Sequence, residues 1–468
     1  MKTLRRTFAA LLVLLIVLAL LLWLKPPQLL RVGANYSAKI VCSNVFLARR
    51  DPEEVLRIDV QAPGIGLLRL MRVSVDREQG VVRAGLLGFI GDGIAVARPG
   101  KGCTVLPDGK LELLEARPTR TPRSVQSAGE GAAAAAPADS LWPDGSAVAT
   151  KPAIERILAN DALAGPGVRA ILVVDHGHIV AERYASGFTA RTPLLGWSMT
   201  KTVTAGLIGM LVKDGKLSLE QAGFWPAAAN DGRDRIRIAD LLAMSSGLRF
   251  NEAYGSVSDV TSMLYLQPDM AAFVRAQPLA HPVGEFWSYS SGTAVILARI
   301  MQDAAGGDGR AFADARLFKP LGMSSATLES DEHGTLVGSS YMYATARDWA
   351  KYAQFLLQEG VWQGQELLPS GYVAMMASPV AASAGQYGHG QVWLWGSDAV
   401  TPGVNPDTAF GIPADTFWLS GHDGQSIAVI RSRQLIVARL GLTPESLGYS
   451  TQPLVSALLE ATANARIR

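Results

Sequence analysis

The chain has 468 residues with a net charge of +2, 49% hydrophobic and 18% charged residues. This composition excludes a disordered chain, and the lack of any lysine- or arginine-rich cluster excludes the electrostatic footprint of a nucleic-acid binder. Two cysteines exclude a disulfide-built scaffold and a cysteine-rich metal domain, and the length suggests about two to four domains.

Residues 1–30 read as a cytoplasmic tip followed by a membrane anchor. Lys2, Arg5 and Arg6 precede Thr7 to Leu24, eighteen residues without a charge. As a helix this segment is about 27 Å long, close to the hydrocarbon thickness of a bilayer. Trp23 and Lys25 fall at the far interface, and Pro26-Pro27 stops the helix. A cleaved signal peptide needs a shorter apolar run and small residues before the cut, which Trp23-Leu24-Lys25 does not offer. The leading positive charges place the rest of the chain outside the cytoplasm. The expectation is a single-pass protein of a bacterial inner membrane with its folded part in the periplasm. A buried soluble helix is the alternative. In that oxidising space Cys42 and Cys103, 61 residues apart, are candidates for a disulfide; two buried free thiols are the other reading.

Residues 31–118 read as a small β-rich region, in which Leu70–Val75 and Val81–Ala84 flank a turn as a hairpin. Residues 119–140 hold Pro122, Gly129, Gly131 and the run Ala132–Ala136, the composition of a linker. Residues 141–468 form the longest domain. Ala170–Val174 and Ile179–Ala181 predict a hairpin around Asp175-His176-Gly177-His178. A mostly helical stretch runs from Lys201 to about Met376. Ser426–Ile430 and Leu435–Leu440 predict two strands, and Leu454–Asn464 a closing helix. Strands at both ends with helices between imply an α+β fold: an antiparallel sheet flanked by helices, with a helical region inserted.

Ser198-Met199-Thr200-Lys201 opens a predicted helix whose stripe is Val203, Leu207, Ile208, Leu211 and Val212. The spacing puts Ser198 and Lys201 one turn apart on one face. A serine hydroxyl needs a base, and a lysine serves when its surroundings favour the neutral amine. A serine at a helix N-terminus also aims its own N–H at a developing oxyanion. Alone, the motif reads equally as an N-cap serine beside a solvated lysine. Tyr289, in Ser288-Tyr289-Ser290-Ser291-Gly292 before an apolar helix, is a candidate proton relay. His422 and Gly424, in Gly421-His422-Asp423-Gly424-Gln425, are candidates to line a substrate groove from an edge strand. His176 and His178 read as turn residues rather than metal ligands, and His281, His333 and His389 lack acidic or cysteine partners at ligand spacing. No metal or cofactor is called for.

Together these elements resemble the serine β-lactamase and penicillin-binding-protein superfamily, in its class C-like branch of esterases, D-aminopeptidases and 6-aminohexanoate-dimer hydrolases. S-x-x-K is present as Ser198–Lys201, a Y-x-N-like element as Tyr289–Ser291 and H-x-G as His422–Gly424, in that order. Met244–Leu248 resembles the family's SSGL loop, and Tyr343–Asp348 a later helix start. The resemblance implies that Ser198 is acylated, Lys201 is its general base, Tyr289 relays protons, and the N–H groups of Ser198 and Gln425 form the oxyanion hole. Ser291, His422 and Gly424 would bind substrate. Ser291 stands where an asparagine is usual and His422 where a lysine is usual, which weakens recognition of a β-lactam carboxylate near neutral pH. The expected function is a membrane-anchored periplasmic serine hydrolase of a small amide, short peptide or ester. A penicillin-binding D,D-carboxypeptidase, a β-lactamase and a catalytically silent sensor remain as alternatives.

Overall fold

The computed structural model describes residues 2–62, 66–109, 111, 151–226, 231–396 and 403–464; the expected linker 119–140 lies outside them. The chain divides into two compact units. The first comprises Met1–Pro118, Asn251–Met270 and Asp331–His333, and the second Thr119–Phe250, Ala271–Ser330 and Gly334–Arg468.

In the first unit, α1 spans Lys2–Leu24 and α2 Gln28–Phe46, separated by the two prolines as expected. Among the described residues no helix is long and apolar enough to cross a membrane. Four antiparallel strands follow, β1 (Met71–Asp76), β2 (Val81–Leu86), β3 (Ile90–Arg98) and β4 (Gly102–Val105), in spatial order of sequence. The β1–β2 hairpin pairs Val75 with Val82 across the predicted turn. The reading of residues 31–118 as β-rich needs correction, since α2 takes up their first part. Its helical period is hidden because Asn35, Ser37, Lys39, Ser43 and Asn44 are buried along with the apolar residues. Each finds a partner in place of water: Ser37 donates to the Gly33 carbonyl at 2.7 Å, Asn44 to Ile40 at 2.9 Å, and Lys39 to Cys103 at 2.7 Å. The helix lies directly on β3. A Cβ on Gly93 would fall 2.2 Å from the Ala34 carbonyl carbon, so only glycine allows that approach. Cys42 of α2 and Cys103 of β4 form a disulfide. The helix Asp259–Leu266, from far along the sequence, belongs to this unit, where Tyr265 accepts a hydrogen bond from Asn35 at 2.7 Å.

The second unit is built on a five-stranded antiparallel sheet. In chain order its main elements are α3 (Pro152–Ala159), β5 (Val168–Asp175), β6 (His178–Tyr184), β7 (Leu194–Leu195), α4 (Met199–Lys213), α5 (Ser291–Ala304), β8 (Thr327–Leu328), β9 (Met342–Ala344), α6 (Ala346–Leu357), β10 (Thr416–Gly421), β11 (Gln425–Ile430), β12 (Leu435–Gly441) and α7 (Gln452–Asn464). The sheet order is β10-β11-β12-β5-β6, so the terminal hairpin closes on the first one through pairs such as Val437 with Val173. The expectation of an antiparallel sheet made from distant stretches is met. Ile154, Leu158, Leu454, Val455 and Leu458 of α3 and α7 cover one face over Ile171, Val173, Ile430 and Val437. α6 packs on the other face. Covering both faces explains why β11 and β12 read as continuous apolar runs rather than alternating ones. A small sheet, β7-β9-β8, which the sequence analysis does not foresee, joins a strand just ahead of the helical middle to two within it; two- and three-residue strands leave no period to read. β9 lies directly before the helix start expected at Tyr343–Asp348, where the Thr345 hydroxyl caps the Asp348 N–H of α6.

Candidate active site

Ser198 opens α4 after a strained approach. Trp197 adopts φ +48°, a left-handed conformation that costs a bulky residue energy and persists only when its surroundings hold it. Here they do. Gly196 donates to the Met342 carbonyl at 3.0 Å, and a Cβ on Gly196 would sit 2.1 Å from the Trp349 ring, so the chain is pressed against α6 at that point. Trp349 in turn donates to the Leu194 carbonyl at 3.3 Å. The turn ends with Ser198 half-buried at the N-cap position, directly before the first residue of α4.

The N-cap reading of Ser198 is not what the side chain does, for its hydroxyl caps no backbone N–H. Instead it accepts a hydrogen bond from Lys201 Nζ at 2.9 Å. Lys201 is 1% exposed and also donates to Ser291 Oγ at 3.0 Å and to the Ser339 carbonyl at 3.1 Å. The Tyr289 ring closes the arrangement, its centroid 4.7 Å from Lys201 Nζ. The hydroxyl and amine of one helical turn and the phenol ring of a stretch some ninety residues further on therefore share one place. Three oxygen acceptors match the three N–H bonds of an ammonium. With the amine neutral, two N–H bonds still hold Ser291 and Ser339 and the lone pair faces the Ser198 O–H. The geometry thus serves both states of a general base.

The loop Met244–Leu248 delivers Tyr289. Ser288 donates to the Met244 carbonyl at 2.9 Å, Gly284 to Ser245 at 2.8 Å and Ala280 to Gly247 at 2.8 Å. Gly247, at φ +75°, lies against the His281 carbonyl, which a Cβ would meet at 2.3 Å. Beyond Tyr289, the Ser290 hydroxyl caps α5 through the Thr293 N–H at 3.2 Å.

The remaining expected site residues fall less simply. Ser291, the first residue of α5, is fully buried, and its hydroxyl is turned to Lys201 rather than to solvent. His422 and Gly424 are not on the edge strand, because β10 ends at Gly421 and they form the turn that follows. His422 is exposed, with its ring edge-on to Trp197 at 5.4 Å between centroids. The segment approaches the chain leading to Ser198 at Gly421, where a Cβ would lie 2.3 Å from the Gly196 carbonyl oxygen. Gly424 sits at φ +78° with its carbonyl facing inward, accepting from Arg439 at 2.9 Å. Gln425 is buried at the start of β11. Its side chain donates to the carbonyls of His422 at 3.1 Å and Asp423 at 3.2 Å, and accepts from the Gly441 N–H at 3.0 Å. His176 lies in the β5–β6 turn and His178 begins β6, and no cluster able to hold a metal ion occurs among the described residues.

Two supports escaped the sequence reading. Ser339 contributes only a carbonyl, which no residue type announces. Arg439 was findable, since a charged residue inside the apolar strand Leu435–Gly441 must have partners. Fully buried, it donates to the carbonyls of Ala164, Pro166 and Gly424 and to the Thr443 hydroxyl, and so fastens the His422–Gly424 turn to the sheet. Burial pushes its guanidinium below the ordinary arginine value.

Comparison with known proteins agrees with this geometry. A curated relative, the 6-aminohexanoate-dimer hydrolase of Paenarthrobacter ureafaciens, is 25% identical over 223 residues, 44% of this chain. The match spans 55% of that relative's length. Among solved structures, one described as a 6-aminohexanoate-dimer hydrolase from Bacillus anthracis superposes with a TM-score of 0.54 at 19% identity, covering 67% of this chain and 82% of the other. A β-lactamase-like protein from Bacteroides dorei gives 0.54 at 18% identity, over 68% of this chain and all of that one. At such identities the superpositions speak for the fold. The Beta-lactamase family profile matches residues 158–448, well over half of the sequence and every site residue described above, and the chain belongs to that family.

Proposed function

We propose that the protein is a serine hydrolase that cleaves a small amide, short peptide or ester through an acyl-enzyme on Ser198. The observation that carries this reading is the 2.9 Å contact between the Ser198 hydroxyl and a Lys201 amine held by Ser291 and Ser339. In the first step Lys201 takes the Ser198 proton as Oγ bonds to the substrate carbonyl carbon. The carbonyl oxygen becomes an oxyanion, met by the Ser198 N–H at the start of α4 and by a peptide N–H of the Gly421–Gln425 segment, where Gln425 is the sequence-based candidate. The proton then passes by way of Tyr289 to the leaving nitrogen or oxygen, whose bond to carbon breaks. Water, deprotonated by the same groups, frees the acid and returns the proton to Ser198. The Paenarthrobacter relative is named a hydrolase of the 6-aminohexanoate dimer; an amino group and a carboxyl group condense to an amide, which supports an amide as the bond broken.

The reading includes a tether to the inner membrane with the hydrolase unit in the periplasm. Its support is the charge-free run Thr7–Leu24, whose Leu11, Leu12, Leu20, Leu21 and Leu24 are exposed, and the Cys42–Cys103 disulfide, which belongs to an oxidising compartment. Carbonate-resistant membrane association, lost on deleting residues 1–25, tests the tether.

For the chemistry, the full chain is treated with a fluorophosphonate probe and assayed on p-nitrophenyl esters and amides. Covalent labelling and turnover that both vanish in Ser198→Ala are expected, a loss of at least about a thousandfold. Turnover that persists in Ser198→Ala would sink the reading. A penicillin adduct that accumulates without hydrolysis would redirect it to a D,D-carboxypeptidase.

A further inference from the structure

Four aromatic side chains meet next to Lys201. Tyr289, whose ring lies 4.7 Å from the amine, is 5.2 Å from Trp393 and 5.9 Å from Tyr387 between ring centroids. Tyr387 lies 5.1 Å from Trp393 and 5.6 Å from Trp287, and Trp287 is 6.1 Å from Trp393. The pairs are tilted or edge-to-face, the arrangements in which aromatic quadrupoles attract. Their burial is unequal. Tyr387 is 1% exposed, as a core residue is, whereas Trp287, Tyr289 and Trp393 each keep part of their surface open. Partial exposure is ordinary for so large a side chain, so what singles the cluster out is its place against the Tyr289 ring and the Lys201 amine.

The cluster is also rigidly held. The Trp393 backbone pairs with Trp418 of the edge strand β10 in both directions, at 3.0 and 2.7 Å. The Tyr387 carbonyl accepts from Val380 at 2.8 Å. Trp287 and Tyr289 sit on the segment that the Met244–Leu248 loop clamps. None of the four carries a charge, so the surface offers dispersion and π-contacts rather than an ion pair.

We infer that Trp287, Tyr289 and Trp393, backed by Tyr387, form the specificity subsite of the Ser198 centre and receive an uncharged aromatic or long aliphatic side chain of the substrate. This rests on the serine-hydrolase reading and goes beyond it in naming the substrate class: amides or esters of apolar acids, in preference to acetyl or anionic acyl groups. The subsite selects by apolar contact, and each methylene or ring edge that fits adds discrimination.

The test uses the full chain and p-nitrophenyl acetate, hexanoate, phenylacetate and hemisuccinate. The ratio of kcat/KM for phenylacetate over acetate is expected to exceed about tenfold, with hemisuccinate poorest. Trp393→Ala should drive that ratio toward one, and Trp393→Phe should restore most of it. A ratio unchanged in both Trp393→Ala and Trp287→Ala, or a preference for hemisuccinate, overturns the inference while fluorophosphonate labelling of Ser198 keeps the hydrolase reading intact. If Ser198 does not label, the hydrolase reading falls and the subsite is read by binding instead. Phenylacetamide should then quench tryptophan fluorescence saturably where acetamide does not, and the quench should weaken in Trp393→Ala. No quench overturns the subsite as well.

Discussion

Among the described residues each unit buries one lysine inside a helix, and the two lysines stand in different surroundings. Lys39 of α2 is 2% exposed and donates to the Cys103 carbonyl at 2.7 Å and the Ser43 hydroxyl at 3.3 Å. Lys201 of α4 is 1% exposed and has two hydroxyls and a carbonyl around it. Burial and a serine neighbour are common to both, so neither feature marks chemistry. What separates them is placement. Ser43 lies in the interior of a helix and is fully buried, whereas Ser198 stands at a helix start, half-open, after a strained residue and beside a tyrosine ring. On the proposed reading, a buried lysine serves as a base where the hydroxyl it holds can meet a substrate, and otherwise ties strands to a helix.

Substituting the lysines one at a time breaks this comparison if it is wrong. Lys201→Met keeps the length of the side chain and removes the base, and turnover should fall by at least about a hundredfold. Ser291→Ala removes one of its three acceptors and should act through the same amine, shifting the pH profile of kcat rather than only KM. If Lys201→Met hydrolyses esters at the wild-type rate, the amine is structural and resembles Lys39 after all.

The disulfide sharpens the contrast between the units. Both cysteines lie in the first, so reductant reaches no cross-link in the second. The first sheet alternates in burial along β1, with one face open, while β11 and β12 are covered on both faces. A unit this small gains much from a staple across 61 residues, and Cys42→Ser should cost about 2–4 kcal/mol. Chemical denaturation followed with and without reductant checks this. An unchanged midpoint would mean that α2 packing alone holds the unit.

Lys39→Met should weaken the same unit by about 1–3 kcal/mol, because it leaves the Cys103 carbonyl without its ammonium donor. Labelling of Ser198 should be unaffected, since Lys39 takes no part in the reaction. A larger loss of activity than of stability would place Lys39 in the chemistry and undo the distinction drawn here.

These contrasts also explain what the sequence discloses. Ser198 and Lys201 are legible because one helical turn fixes their meeting, and Tyr289 because a loop-to-helix pattern places it ahead of α5. The terminal strands are legible as apolar runs bounded by turns. α2 is hidden because its buried polar residues erase the stripe. The turn His422–Gly424 is placed one element too early, since a strand and a tight three-residue turn share the same glycine-rich pattern. Ser291 is legible from its place in the Y-x-N-like motif, but its hydrogen bond with Lys201 is not, since only the position of α5 brings the two together. Trp393 and Tyr387 carry no motif, and their encounter with Tyr289 depends on β10 pairing with a loop.

The smallest expected effect lies at the far end of α4. Asp214 terminates α4, where the helix dipole disfavours a negative charge, and Arg316 offsets this with paired hydrogen bonds, one of them at 2.9 Å. Those bonds hold the Asp214 carboxyl below its ordinary value of 3.8. A carboxylate favoured in the folded state contributes stability above its unfolded pKa and loses it as the pH falls through the lower, folded one. Asp214→Asn should therefore cost no more than about 1 kcal/mol at pH 7, because Arg316 is 35% exposed and water screens the pair. The gap between wild type and variant should narrow below about pH 4 and close under strong acid. Thermal midpoints across pH 2–7 measure it. A gap that persists undiminished at pH 2 would mean that Asp214 acts through packing or backbone geometry rather than charge. The two ends of α4 would then differ in chemistry but not in electrostatic design.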